Sequence, residues 1–112
     1  MYLSQGDIVL VLYPFTDLSA AKKRPAIVIS NSQINNSQDV ILAPITSQVV
    51  NDGFTFRLED ALVTKPLPKY SEIRCDTLFT AHKELIDKKI SSLKNNVYSK
   101  VFNIIVSGIK QL

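Results

Sequence analysis

The sequence predicts a mainly β domain, a small barrel or strongly bent sheet closed off by one C-terminal helix. Three observations carry this. The apolar runs are short and rich in β-branched residues, as in Ile8-Val9-Leu10-Val11-Leu12 and Ala26-Ile27-Val28-Ile29. Turn-forming clusters such as Asn31 to Asp39 and Asn51-Asp52-Gly53 separate them. Helical spacing of apolar residues is firm only near the end of the chain. Many short strands between turn signals, with one helix after them, describe a barrel or bent sheet rather than alternating βαβ units.

Each element has its own justification. Gly6-Asp7 opens a continuous apolar run from Ile8 to Tyr13, too short and too β-branched for a helix, and Pro14 closes it. Thr16 to Lys23 is a polar to basic connection leading into a strand from Ala26 to Ser30. Val40 to Ala43 forms a third strand, and Pro44 at its end suggests a sheet edge or bulge. Phe54, Phe56 and Leu58 alternate with Thr55 and Arg57, the pattern of a half-exposed strand. Thr64 to Tyr70, with two prolines, is a connection, Ser71 to Thr80 a further strand, and Ile86 to Leu93 a short strand or helical turn. Asn95-Asn96 offers an N-cap for a helix in which Val97, Val101, Ile104, Ile105, Gly108 and Ile109 share one face.

No repeat, low-complexity block or linker interrupts the 112 residues, so residues 1–112 are expected to form a single domain. With 46% hydrophobic and 21% charged residues the chain falls among ordinary globular proteins. Thirteen Lys and Arg against ten Asp and Glu give a net charge of +3, which favours polyanionic partners. Cys75 is the single cysteine, which excludes an internal disulfide and any cysteine-based metal set and suits a reducing cytoplasm. No segment reaches the roughly 20 apolar residues of a membrane span, and the N-terminus lacks a signal peptide's basic and apolar regions. A cytoplasmic protein without membrane contact is the expectation.

Chemistry concentrates at a few positions. Lys22-Lys23-Arg24-Pro25 delivers a guanidinium to the entrance of an apolar strand, and Pro25 biases Arg24 toward an extended backbone. Arg24 either binds phosphate or is a surface cation whose stem covers a barrel rim. Thr46 sits where an apolar strand gives way to a polar turn, so its hydroxyl either donates to a phosphate oxygen or caps the turn. Arg74 and Asp76 stand two apart in an expected strand and would share a face, with Cys75 on the other. They form either a surface ion pair or a carboxylate and guanidinium set side by side in a cleft. His82 is a loop residue whose reference pKa near 6.5 makes it an acid or base candidate. Lys22 and Lys23 read as a solvated basic loop.

Together these segments amount to a resemblance. Gly6-Asp7-Ile8-Val9-Leu10-Val11, Lys23-Arg24-Pro25-Ala26-Ile27-Val28-Ile29-Ser30, Pro44-Ile45-Thr46-Ser47 and Ile73-Arg74-Cys75-Asp76 followed by Thr80 occur in the order and spacing of the MazF/PemK (Kid) toxins of bacterial type II toxin–antitoxin systems. The match covers most of the chain, terminal helix included. It implies an SH3-like β-barrel of the CcdB/PemK type with a C-terminal helix, usually a homodimer. It also implies sequence-specific cleavage of single-stranded RNA with no metal or other cofactor, and a cognate MazE/PemI-like antitoxin. By position, Arg24 and Thr46 match the family's principal catalytic pair, and Arg74 and Asp76 match its R-C-D segment. Substrate contacts are expected from Lys22, Lys23, Asp17, Ser47, Phe79 and Thr80.

Two departures bear on the chemistry. The family pattern R-C-D-x-x-R-T places an arginine before the threonine, where this chain has Phe79, an aromatic able to stack on a base. Some members carry a histidine in the loop before R-P, where this chain offers Asp17, Ser19, Lys22 and Lys23. The expected reaction is attack by the RNA 2′-hydroxyl, leaving a 2′,3′-cyclic phosphate and a 5′-hydroxyl. Asp76 is the natural base candidate, though pairing with Arg74 lowers a carboxylate's pKa and favours a positioning or base-reading part. Two other readings use the same barrel: a CcdB-like gyrase inhibitor, which relies on a C-terminal tryptophan this chain lacks, and a catalytically silent RNA binder or adaptor.

Overall fold

The computed structural model describes residues 1–12 and 22–112. Seven strands form one antiparallel sheet: β1 (Asp7–Leu12), β2 (Lys23–Val28), β3 (Asp39–Thr46), β4 (Thr55–Arg57), β5 (Glu72–Arg74), β6 (Phe79–His82) and β7 (Ile86–Ser92). A one-turn helix, α1 (Ser32–Asn35), precedes β3, and α2 (Tyr98–Ile109) ends the chain. The strand order is β4-β5-β3-β2-β1-β7, with β6 also paired to β3. Bulges in the β1–β7 pairing, between Ile8 and Val9 and between Leu10 and Val11, bend that edge. The curled sheet is joined end to end by the segment after β4. Val63 bridges Leu93, Thr64 N donates to the Ser92 carbonyl at 2.8 Å, and Lys94 N donates to the Leu62 carbonyl at 2.9 Å. The expected barrel-like β architecture with a C-terminal helix is what forms, with a single bridge rather than a ladder at the seam.

The continuous apolar runs of β1 to β3 have a plain cause, since both faces of these strands are buried. Ile8, Ile27, Ala43 and Ile45 pack into one cluster with Val101 and Ile105 of α2. Val9, Val11, Ala26, Val28, Val40 and Leu42 pack into a second cluster with Ala81 and Ile86. Strands covered on both sides lose the alternation of a half-exposed sheet.

Several boundaries differ from expectation. β2 begins at Lys23, so Arg24 is a strand residue opposite Val11 rather than the end of a loop. Asn31 to Asp39 contains α1, which Asn31 caps by accepting from Gln33 N at 3.0 Å. The strand expected from Ser71 to Thr80 is two strands, because a turn at Cys75-Asp76 separates β5 from β6. Asn96 is not the cap of α2: it has φ 71°, a region that asparagine tolerates, and Val97 occupies the cap position without a side-chain bond. Tyr13, Pro14 and Asp17 lie outside the described residues.

Pro44 lies inside β3 rather than at an edge. The Ile41 N–H donates to Ser30 Oγ at 2.9 Å and its carbonyl accepts from Ile29 N, so odd-numbered backbone groups of β3 face β2. Pro44 faces the other side. There β6 pairs only as far as Leu42, and β5 pairing begins at Ile45. The missing N–H falls where β3 changes partner and no ladder bond is lost.

Two buried polar side chains inside this shell, Asn35 and Asp7, are well partnered. Asn35, 4% exposed, donates to the Leu3 and Ser30 carbonyls and accepts from Ser30 Oγ at 2.5 Å. Asp7, equally buried, accepts from Ser4 N at 2.8 Å and pairs with Lys89 at 3.1 Å.

Candidate active site

A groove of about 680 Å³ opens at one end of the barrel. Its floor is apolar, with Leu10, Pro25, Ile45, Leu67 and Ile90 contributed by β1, β2, β3, the β4–β5 connection and β7. Arg24, Thr46, Ser47 and Arg74 stand on its walls. Residues separated by up to fifty positions in sequence thus share one surface because β3 lies between β2 and β5. Among the described residues the lining carries three cations, Arg24, Lys69 and Arg74, and no carboxylate. Such a surface suits an anion.

Arg24 is exposed on the second residue of β2, and Pro25 behind it fixes φ while its ring joins the floor. Thr46 ends β3. Its Oγ1 accepts from Gln48 N at 3.1 Å, so the hydroxyl caps the turn, yet its own proton stays available to an anion. The two readings of Thr46 are therefore compatible. Arg74 ends β5, and its Nε is buried without a hydrogen-bond partner, 3.9 Å from Asp76 Oδ1.

Other candidates lie off the groove lining. Asp76 is in the turn after β5 rather than on the same strand face as Arg74, and Thr77 Oγ1 donates to it at 3.1 Å. Lys22 precedes β2 and is exposed, and Lys23 pairs with Asp87 at 3.3 Å. Thr80 is exposed on β6 opposite Ile41. Phe79, opposite Leu42, is half-buried against the second core cluster. His82 caps a short turn, its Nδ1 accepting from Glu84 N at 3.1 Å, which puts the ring proton on Nε2, 3.0 Å from Gln38 Oε1. Burial pushes the Cys75 thiol up to about 11. Among the described residues, no group of three or more His, Cys, Asp or Glu side chains could hold a metal ion, and no helix is long and apolar enough to cross a membrane.

The groove also contains residues that sequence reasoning passed over. Lys69 and Tyr70 sit in the stretch read as a plain connection. Tyr70 donates its hydroxyl to Oε2 of Glu72, whose Oε1 accepts from Val50 N at 3.2 Å and Asn51 N at 3.1 Å. Tyr70, then the Asn51 amide, the Thr55 hydroxyl and the Val50 amide, hold this carboxylate at a pKa of about 2, although it is only 2% exposed. The same bond raises the Tyr70 pKa. A basic residue beside an aromatic, between two prolines and a glutamate, was the available signal.

A family model described as the PemK-like, MazF-like toxin of type II toxin–antitoxin systems matches residues 4–107. No curated protein sequence matches the chain. Solved structures agree in fold. The Mycobacterium tuberculosis toxin MazF-mt6 has a TM-score of 0.76 at 19% identity, covering 95% of this chain and 98% of its own. The MazE-MazF complex of Deinococcus radiodurans has a TM-score of 0.81 at 16% identity with full coverage of both chains. An endoribonuclease in complex with its cognate antitoxin from a mycobacterial species has a TM-score of 0.76 at 16% identity, covering 98% and 99%.

Proposed function

Since the chain belongs to the PemK-like, MazF-like toxins of type II toxin–antitoxin systems, we propose that it is a sequence-specific endoribonuclease that cuts single-stranded RNA without a metal and so arrests translation and growth. The observation that carries this reading is the groove in which Arg24, Thr46 and Arg74 converge with Lys69 and no carboxylate.

RNA brings its own nucleophile, the 2′-hydroxyl, so the protein's task is to hold the phosphate in line and offset the charge that grows on it. Arg24 does the second: its planar, permanently charged guanidinium binds two phosphate oxygens above a water-poor apolar floor. Thr46 donates a hydrogen bond from its hydroxyl to the same phosphate and fixes its orientation, its oxygen being held by Gln48 N. Arg74 supplies a second cation, its buried Nε facing Asp76, which positions it. Ser47 extends the polar wall beside Thr46. The products are a 2′,3′-cyclic phosphate and a 5′-hydroxyl. The working form is a cytoplasmic homodimer held inactive by a cognate antitoxin of the MazE/PemI kind; the antitoxin partner is supported by the similar structures solved as toxin–antitoxin complexes.

Incubating the protein with a long RNA in EDTA and mapping the 5′ ends tests this. Discrete cuts at a short recurring sequence with 5′-hydroxyl ends are expected. Cutting that appears only when a divalent ion is restored refutes the mechanism, and binding without cutting favours the silent-adaptor reading.

A further inference from the structure

Tyr70 is the one aromatic side chain on the lining of the groove among the described residues. It is fixed from two directions. Its hydroxyl donates to Glu72, itself buried and tied to two backbone amides. The Arg57 guanidinium lies over the ring, 5.2 Å from its centroid. A second cavity, of about 670 Å³, is lined by Arg57 and Tyr70, whereas Arg57 is absent from the lining of the first. Tyr70 thus borders both cavities, with Arg57 over one face of its ring and with Arg24 and Thr46 on the cavity that Arg57 does not line.

We propose that the face of Tyr70 turned away from Arg57 is a stacking platform for an unpaired nucleobase next to the scissile phosphate, which makes Tyr70 a specificity-determining residue. The proposal rests on the endoribonuclease reading and deepens it. Single-stranded nucleic acid is held by cations that follow the phosphates and aromatic rings that take the bases. Arg24, Lys69 and Arg74 supply the first, and Tyr70 is placed to supply the second. The bond to Glu72 uses the hydroxyl and not the ring face. A ring already locked loses little freedom when a base settles on it. The negative charge of Glu72 is taken up by donors on Tyr70, Val50 and Asn51. Phe79, the aromatic that the sequence offered for base stacking, packs instead against the second core cluster.

The test uses an RNA oligonucleotide spanning a mapped cleavage sequence, made uncleavable by a 2′-deoxy sugar at the cut position. Its affinity is measured for the wild type, Tyr70→Phe and Tyr70→Leu, with folding checked by circular dichroism. Tyr70→Leu is expected to weaken binding about five- to a hundredfold, the range of one base–aromatic stack, and Tyr70→Phe to stay within about threefold of wild type. Abasic nucleotides placed one at a time should reveal one position that matters to the wild type and not to Tyr70→Leu. The chain has no tryptophan, so Tyr70→Trp gives a single indole whose fluorescence the bound base should quench. Wild-type affinity in Tyr70→Leu, or an unquenched indole in saturated Tyr70→Trp, overturns the platform while leaving the nuclease reading intact. A wild type that neither binds nor cuts RNA overturns both.

Discussion

Arg24 is a residue whose local setting and chemical task are separable. It is exposed, it makes no contribution to either core cluster, and Pro25 rather than its own side chain shapes the strand. Arg24→Ala is therefore expected to keep the thermal midpoint and lower the cleavage rate at least a hundredfold, about 3 kcal/mol of transition-state stabilisation. A well-folded Arg24→Ala protein that cuts at the wild-type rate removes it from the reaction. Glu72 is the opposite case, a buried carboxylate whose charge belongs to the fold. Its pKa falls from 4.5 to about 2 on folding, so the native state favours the ionised form. The stability this gives is complete above the ordinary carboxylate range and is lost as pH drops from about 4.5 toward 2. Thermal melts at pH 3 and pH 6 should show a smaller difference for Glu72→Gln than for the wild type. Arg24 and Thr46 stood out in the sequence because one precedes a proline at the entrance to an apolar strand and the other ends an apolar strand at a polar turn, whereas Arg74 was read inside a strand and stood out through its R-C-D segment. The Tyr70–Glu72 pair was not. Its meaning depends on the β3–β4 loop returning two amides to a carboxylate more than twenty residues away.

Among elements, α2 is the clearest consequence of a pattern, because Val101 and Ile105 lie four apart and both are buried against the first cluster. Ile105→Ala is expected to cost about 2–5 kcal/mol, read as a shift in the urea midpoint with little change in the slope. An exposed residue on the same helix, such as Asn103, should tolerate alanine within about 0.5 kcal/mol. The sequence marked the existence of nearly every strand but misjudged where some end. Ser71 to Thr80 looked like one strand because Ile73-Arg74-Cys75-Asp76 alternates straight into the turn at Cys75-Asp76. The break arises from tertiary pairing, β5 with β4 and β3, then β6 with a different stretch of β3. No local signal carries that division.

At the scale of the whole molecule, charge sets how partners approach. A net charge of +3, with Arg24, Lys69 and Arg74 on one groove, should make RNA affinity fall steadily with added salt. A flexible acidic segment of the antitoxin can occupy the same cations and order as it binds. In a titration the antitoxin should therefore displace RNA, and a ternary complex that still cuts at full rate would count against a shared groove.

The double-sided burial of β1 to β3 has a consequence for how the fold stays unique. In a strand with one wet face, sliding the pairing by one residue turns every apolar side chain toward water, and solvent itself corrects the error. β2 and β3 have a weaker guard of this kind, because apolar residues of both their faces are buried, one set in each cluster. Their alignment has to be written in polar marks instead. Ser30 Oγ receives the Ile41 amide and donates to Asn35, and Pro44 accepts only the one place along β3 where its lack of an amide is harmless. Ser30 and Asn35 stand apart from the groove lining that Pro44 joins, yet all three act as the notches that let the barrel close in one way and not in its near copies.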